Sequence, residues 1–325
     1  MKATCNVAGA WALMVGTCLG LNSTVSAQDY PSRPLKLFVP FAAGGGSDVV
    51  SRLVMEPLAA KLGQPIVVEN RPGVGGNLGM SAGATAAPDG YTLTTLTQNL
   101  ASNPHMYATM PFEPLKAFQP VSIMVKVYSM LIANPKVPAT SLAELIAYAK
   151  ANPGKLNTGH GGVGGQTHLS LLLVGSATGL KMAYVPYRGE SLVLTDVLSG
   201  QLDLTVQSFV GIDQHIAAGA LRPLGVTSPK RLAQFPNVPA IAETLPGFEV
   251  SGWYGIALPA GTSPAIVQRL SSDLRAVLND PAMRKGLGDR GFEVIADTPE
   301  EFKAVIEADY EKYRRIITEA GIKPQ

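Results

Sequence analysis

Two glycine-rich segments constrain the fold of this chain more than any other feature of its sequence. The first, residues 41–48, follows the apolar run 35–39 and precedes an amphipathic stretch. The second, residues 158–168, precedes the apolar run 169–174. Each pattern predicts a strand, a tight turn and a helix. Such a turn exposes backbone N–H groups at a helix N-terminus, where the helix dipole favours negative charge. We therefore predict that the two turns together grip a small anion.

Composition limits the class of protein. The chain has 325 residues, of which 46% are hydrophobic and 15% charged, enough to bury a large core, and its length favours two domains. Its formal net charge is only +2, and basic clusters are short. A nucleic-acid partner is therefore not expected.

The N-terminus has the pattern of an export signal. Lys2 is followed by a mostly apolar stretch at 8–21 and by small residues that end at Ala27. We predict a cleaved signal peptide at residues 1–27 and an exported protein. Cys5 and Cys18 both lie in this segment, so the mature chain would have no disulfide or thiolate site. A lipoprotein would use Cys18, although Thr17 precedes it where a smaller residue is usual.

Strand and helix patterns alternate along the rest of the chain, which predicts an α/β protein with mostly parallel sheets and helices on both faces. The apolar stretches 121–133 and 250–258 are suitable for crossing between two lobes. We predict a discontinuous first lobe, residues 28–128 and 253–325, and an inserted second lobe, residues 129–252. The two crossing strands would form the hinge of a clamshell.

Motifs for catalysis are weak or absent in the sequence. Residues 159–164 form a GxGxxG pattern, but a dinucleotide fold would place an acid where Tyr187 and Arg188 stand, with Glu190 just beyond. His160 and His168 flank the second turn and could form a metal pair, although no HExxH motif is present. Residues 79–83 match the GxSxG pattern of an α/β hydrolase, but they lie inside a predicted small-residue helix and not at the strand-to-helix turn that this motif requires. We predict no enzyme, no cofactor and no metal.

Polar residues follow several of the predicted strands. Arg188 could bind a carboxylate through two parallel hydrogen bonds, or lie on the surface. Asn99, Gln207 and Ser208 stand at strand ends, where a parallel sheet presents its ligand site.

Several motifs together resemble the Bug family, the substrate-binding receptors of tripartite tricarboxylate transporters. The resemblance covers essentially the whole mature chain. The segments that carry it are residues 30–34, 40–48, 68–79, 87–92, 185–189 and 200–203.

The resemblance implies a periplasmic, two-lobed binding protein that takes up a small organic carboxylate and passes it to a membrane permease. It implies that the glycine turns hold carboxylates through backbone amides, hydroxyls and water. We expect the protein to be a monomer. The predicted ligand-binding residues are Phe41, Gly45, Gly46, Ser47, Asp48, Asn99, His160, Gly164, Gly165, Arg188, Gln207 and Ser208.

This chain departs from the family pattern at three of these positions. The family often has hydroxyl residues where His160 and Gly165 stand, and an acid where Gln207 stands. The lost acid would have paired an amino group, so we expect a plain carboxylate as ligand and not an amino acid. Two alternatives stay open from the sequence: an exported α/β enzyme, and a ligand sensor for a signalling receptor.

Overall fold

A computed structural model describes residues 30–162, 164–187, 189–209 and 212–324. The predicted signal peptide and Arg188 lie outside the described residues. The described chain forms two sheets with helices packed on both faces of each, which confirms the α/β class.

The first sheet combines strands from both ends of the chain. Its spatial order is β11 (Phe292–Val294), β4 (Phe118–Val127), β10 (Gly252–Pro259), β3 (Thr92–Thr97), β1 (Leu35–Val39) and β2 (Ile66–Asn70). Strand β1 pairs parallel with β2 and β3, whereas β10 and β11 run antiparallel to their neighbours.

The second sheet uses only the middle of the chain. Its order is β7 (Ala183–Pro186), β6 (Asn157–His160), β8 (Leu204–Gln207), β5 (Met130–Ala133) and β9 (Arg222–Val226). Strand β6 pairs parallel with β7 and β8, and β5 pairs antiparallel with β8 and β9.

Both sheets are therefore mixed, and the prediction of mostly parallel sheets was wrong in this respect. The cause is the connection between the sheets. The chain leaves the first sheet through β4 and enters the second through β5, then returns from β9 to β10. All four of these strands pair antiparallel with every neighbour in their sheets, and β4 and β10 are neighbours of each other.

Ten α-helices connect the described strands. They are α1 (Gly46–Leu62), α2 (Asn77–Ala84), α3 (Asn99–Ser102), α4 (Leu142–Ala151), α5 (Gln166–Thr178), α6 (Glu190–Ser199), α7 (Asp213–Ala217), α8 (Pro264–Leu278), α9 (Pro281–Gly288) and α10 (Pro299–Glu319).

Local sequence explains where several helices begin and end. Helix α1 ends at Gly63, which is left-handed with φ 71°, a conformation that glycine adopts without steric cost. Helix α4 begins after Ser141, whose Oγ accepts the Glu144 N–H at 3.2 Å. Helix α10 begins with a reciprocal cap, because Thr298 Oγ1 accepts the Glu301 N–H and Glu301 Oε2 accepts the Thr298 N–H.

Apolar side chains fill both faces of each sheet. In the first sheet, Leu37 and Val54 belong to one buried cluster, and Leu96 and Phe302 to a cluster on the other face. The second sheet has two further buried clusters. Burial of apolar surface stabilises a protein by about 25 cal/mol per Å². Each sheet, with the clusters on its two faces, therefore forms a hydrophobic core of its own.

The crossing segments between the sheets are tied to each other. Ser129 follows β4, and its N–H donates to Thr227 Oγ1 at 2.9 Å while its carbonyl accepts the Thr227 N–H at 2.8 Å. The Val250 N–H donates to the Thr227 carbonyl at 3.0 Å. Residues 121–133, predicted as one crossing strand, are thus two strands joined at Tyr128 and Ser129.

Candidate functional site

The first glycine turn links β1 to α1. Gly44 is left-handed with φ 82°, and Gly45 is extended with φ −72° and ψ 163°. The Gly45 N–H donates to the Ala42 carbonyl at 3.3 Å. The N–H groups of Gly46 and Ser47 follow in the first helical turn, where helix geometry provides no intrahelical acceptor. This turn is therefore a donor site for an anion.

Asp48 braces the first turn from within. Its carboxylate accepts the Gly44 N–H at 2.9 Å, Arg52 Nε at 2.9 and 3.0 Å, and Asn70 Nδ2 at 2.9 Å. Burial raises the pKa of Asp48, but these hydrogen bonds outweigh it and leave the pKa below its usual value. The structure thus places Asp48 in the support of the turn, where both of its oxygens already have partners.

The second glycine turn repeats this geometry on the other sheet, between β6 and α5. Gly164 has φ 75°, and Gly165 has φ −70° and ψ 165°. The Gly165 N–H donates to the Gly162 carbonyl at 3.3 Å. The Gly164 N–H donates to His168 Nδ1 at 3.1 Å, four residues ahead. His168 therefore stands in the second turn where Asp48 stands in the first.

Two stacked imidazoles support the second turn. The rings of His160 and His168 lie 4.0 Å apart with an interplanar angle of 18°. His160 Nδ1 donates to the Gly162 carbonyl at 2.9 Å. Burial lowers the pKa of His160, and burial together with the charge of His160 lowers the pKa of His168 to about 3. Both rings are neutral at pH 7, and His160 is bound to the turn itself.

The histidine pair does not extend to a metal centre in the part of the chain that the structure describes. No cluster there brings together three side chains of the metal-ligating types. Both Nδ1 atoms hold the backbone of the turn. The arrangement fits a structural role for this pair.

Tyr254, on β10, connects the first turn to the second sheet. A Cβ on Gly46 would lie 2.9 Å from Tyr254 Oη, so a larger residue there would have to displace this hydroxyl. Burial and the nearby Glu190 carboxylate raise the pKa of Tyr254. Glu190 begins α6 and packs on the second turn, so this electrostatic effect relates the tyrosine beside the first turn to an element of the second sheet.

Further contacts cross between the sheets close to the second turn. A Cβ on Gly164 would lie 3.2 Å from Met106 Cγ. Met106 lies in the connection between β3 and β4 of the first sheet. The amide oxygens of Gln98 and Gln166 lie 3.0 and 2.8 Å from the position of a Cβ on Gly252. Gln166 Nε2 also donates to the Val127 carbonyl at 3.0 Å.

Polar groups of the second sheet gather around Glu190. Ser208 Oγ donates to Glu190 Oε2 at 2.7 Å, and Gln207 Nε2 donates to the Glu190 carbonyl at 3.3 Å. A Cβ on Gly161 would lie 2.9 Å from Glu190 Cγ, so Glu190 packs directly on the second turn. The structure thus brings the predicted residues Gln207 and Ser208 together beside that turn.

The remaining predicted residues have different surroundings. Phe41 is half-buried, and its carbonyl accepts Asn70 Nδ2 at 3.0 Å. Asn99 is buried at the start of α3, where it accepts Thr97 Oγ1 at 3.2 Å and donates to Asn103 at 3.5 Å. Asn103 in turn donates to the Gly75 carbonyl, so Asn99 belongs to a chain of amides that supports another glycine-rich turn, at residues 73–76.

Sequence reasoning missed two residues of this region, Tyr254 and Met106. Tyr254 lies within an apolar stretch that predicted only a strand, and no local pattern marks Met106. Glu190 was considered only as the acid of a dinucleotide site. A carboxylate at a predicted helix start beside Arg188 was the one signal that could have indicated it.

The described helices include none with the length and hydropathy needed to cross a bilayer.

Comparison with known proteins identifies one family by sequence. Residues 50–322 match the model described as the tripartite tricarboxylate transporter family receptor. The chain is 34% identical over 307 residues to protein BugT of Bordetella pertussis, and the match covers 94% of each chain.

Solved structures agree with this match. The periplasmic binding protein BugD is 33% identical with a TM-score of 0.76, and the match covers 91% of this chain and all of that one. Rpa4515 of R. palustris, solved with adipate, is 33% identical with a TM-score of 0.79 and the same coverage. The chain therefore belongs to the receptor family of the tripartite tricarboxylate transporters, a family of periplasmic solute-binding proteins.

Proposed function

We propose that this protein captures a small organic carboxylate in the periplasm, between its two glycine turns, and delivers it to a tripartite membrane permease. The observation that carries the proposal is the repeated turn. Two sheets present the same backbone geometry at a helix N-terminus. The adipate bound to the similar Rpa4515 supports a carboxylate as the ligand class.

We assign the lobes as residues 28–128 with 253–325, and residues 129–252. In this proposal the lobes close about the segments at Ser129 and Thr227, which are hydrogen-bonded to each other. Closure by a hinge of two crossing strands is a known class of motion. A ligand that contacts both turns binds the closed state better and so shifts the population toward it.

In this proposal the donors to the ligand are first-turn N–H groups of the two helices, those of Gly46 and Ser47 in one lobe and those of Gln166 and Thr167 in the other. The N–H groups of Gly45, Gly164 and Gly165 already donate within their own turns. Arg188 would add a charged donor. A hydrogen bond to a charged group contributes about 1.5–3 kcal/mol. A few of them give micromolar affinity after the entropic cost of binding. Asp48 and His160 would act by holding the turns in shape.

The decisive experiment is a calorimetric titration of the mature protein with adipate and shorter dicarboxylates, repeated with Gly46→Ala. The added methyl would lie 2.9 Å from Tyr254 Oη, so the tyrosine ring or the turn would have to move. We expect the variant to bind at least tenfold more weakly, about 1.4 kcal/mol or more.

Gly288→Ala is the matched control, because a Cβ there meets no atom within 4 Å. It should bind like the parent protein. If no carboxylate binds the parent, or if Gly46→Ala binds as tightly as Gly288→Ala, the first turn is not a ligand site. Copurification of permease subunits with the tagged receptor tests the delivery step separately.

A further inference from the structure

The second lobe presents hydrogen-bond acceptors, and not only donors, beside its glycine turn. The Glu190 carboxylate packs on Gly161 and accepts from Ser208 Oγ at 2.7 Å. The amide oxygen of Gln207, a residue only 3% exposed, is buried and has no hydrogen-bond partner among the residues that the structure describes. These three side chains are called the acceptor cluster below.

A buried, unpartnered oxygen indicates a missing donor. Nearly all buried polar atoms in folded proteins are hydrogen-bonded, and an exception calls for an explanation, of which a ligand, ion or water that supplies the partner is one. Gln207 Nε2 is already held by the Glu190 carbonyl at 3.3 Å, which fixes the amide and leaves Oε1 as an acceptor.

The second turn, on which Glu190 packs, lies against the other lobe, because a Cβ on Gly164 would be 3.2 Å from Met106 Cγ. The Glu190 carboxylate also contributes to the raised pKa of Tyr254, whose Oη lies 2.9 Å from the position of a Cβ on Gly46 in the first turn. In the proposed site, a ligand held by its carboxylate at the first turn would direct its other end toward the second turn and Glu190. At that end, a second carboxylate would meet a like charge, whereas a hydroxyl or an ammonium group would donate to Glu190 and Gln207.

We propose that Glu190, Gln207 and Ser208 form a subsite for a hydrogen-bond donor, so that the protein prefers a monocarboxylate with a distal hydroxyl or ammonium group over a dicarboxylate. This inference rests on the proposed function. It also replaces the expectation of a plain carboxylate that the sequence at Gln207 suggested, since the acid is supplied from Glu190, on a different element.

The test is a calorimetric panel with acids of matched length. Hexanoate, 6-hydroxyhexanoate, 6-aminohexanoate and adipate form one series, and the corresponding four-carbon acids form a second. In the better-fitting series we expect the hydroxy or amino acid to bind at least tenfold more tightly than the dicarboxylate. The plain monocarboxylate should bind more weakly than the preferred acid, because it leaves Gln207 Oε1 unpartnered.

Glu190→Gln removes the charge and keeps the shape. We expect this variant to reduce the ratio of affinities for the donor-bearing acid and the dicarboxylate at least tenfold, and to bind the dicarboxylate more tightly than the parent protein does. A larger loss for the amino acid than for the hydroxy acid would identify ammonium as the preferred donor. Glu113→Gln, at an exposed ion pair with Lys116, is the matched control and should leave the whole panel unchanged.

Ser208→Ala is a second variant, which leaves the Glu190 charge in place. Thermal melting checks that both variants are folded. It should reduce the preference for donor-bearing acids. If the parent protein binds the dicarboxylate most tightly and Glu190→Gln leaves the order unchanged, the donor subsite is overturned while the proposed function stands. If the parent binds no acid of either series, both are overturned.

Discussion

At the scale of single residues, Asp48 and His168 show that one backbone geometry can be supported by different chemistry. Each accepts the N–H of the glycine four residues earlier, at 2.9 and 3.1 Å. Asp48 does so as a charged group with Arg52 and Asn70 as further partners, whereas His168 does so as a neutral, buried ring. The first turn is therefore held by charge-assisted bonds, and the second by packing and by the neutral hydrogen bonds of His160 and His168.

Removing the charge of Asp48 should destabilise the protein. Asp48→Asn keeps the shape but offers one acceptor oxygen, so at least one of the donors from Gly44, Arg52 and Asn70 loses its partner. Arg52 is half exposed and its contribution is screened, so we expect a loss of about 1–2 kcal/mol in the free energy of unfolding, measured with urea.

Glu113→Gln is also the control for this stability measurement. Its partner Lys116 and Glu113 itself are 81% and 73% exposed, and such pairs contribute little. An Asp48→Asn variant no less stable than Glu113→Gln would show that the hydrogen bonds around Asp48 do not stabilise the turn in solution.

At the scale of elements, each site element is a strand, a glycine turn and a helix N-terminus. The glycine pattern and the following apolar periodicity predict both units, and the structure has α1 and α5 at these places. Within α5, His168 and nearly every neighbouring residue are buried, so the helix has no solvent-facing stripe in its first half. An element packed on all sides cannot easily accommodate a new charge.

The second turn should therefore weaken in acid. The ordinary pKa of histidine, 6.5, applies to the unfolded chain, while that of His168 in the fold is about 3. Below pH 6.5 the unfolded state takes up the proton first, so stability falls with falling pH, by at most about 1.4 kcal/mol per pH unit. Above pH 6.5 this group contributes no pH dependence.

Urea unfolding between pH 7.5 and 5 measures this slope. His168→Asn can still accept the Gly164 N–H but does not titrate, so it should flatten the slope. His215→Asn, on α7, is the control and should keep it. A parent-like slope in His168→Asn would show that His168 is not the group responsible.

At the scale of the whole molecule, α10 connects the two sheets. Its first half packs on the first sheet through Phe302 and Ile306. Its second half joins a cluster with Ala101 and Met106 of the first sheet's side and with Leu169 and Leu172 of α5. Relative motion of the lobes must either pivot about this cluster or break it.

Two matched substitutions on α10 distinguish a contact within one lobe from a contact between lobes. Ile306 and Ile316 are 5% and 4% exposed, so Ile306→Ala and Ile316→Ala should each cost about 2–4 kcal/mol of stability. Only Ile316→Ala removes a contact to α5. We expect it alone to increase the radius of gyration of the ligand-free protein, measured by small-angle scattering.

Equal radii for the two variants would mean that the α10–α5 cluster does not limit lobe separation in solution. A larger radius for Ile306→Ala would contradict the assignment of that residue to one lobe.

Much of the fold and part of the site could be predicted from the sequence. Helix α1 and its end at Gly63, the cap at Ser141 and the strands on either side of the turns follow from local patterns. The mixed sheets were not predicted, because strand direction depends on where the chain crosses between sheets. Asp48 was assigned to the ligand, since a sequence does not show that Asn70, 22 residues away, would bond to it.

The sequence by itself determined the two turns and the helices behind them, because glycine conformation, capping and apolar periodicity are properties of a few neighbouring residues. Only the tertiary structure decided what surrounds those turns. Tyr254 reaches Gly46 and Glu190 reaches Gly161 from elements far away in the chain. Such contacts arise from the packing of whole sheets, and short-range patterns do not encode which distant side chain the packing delivers.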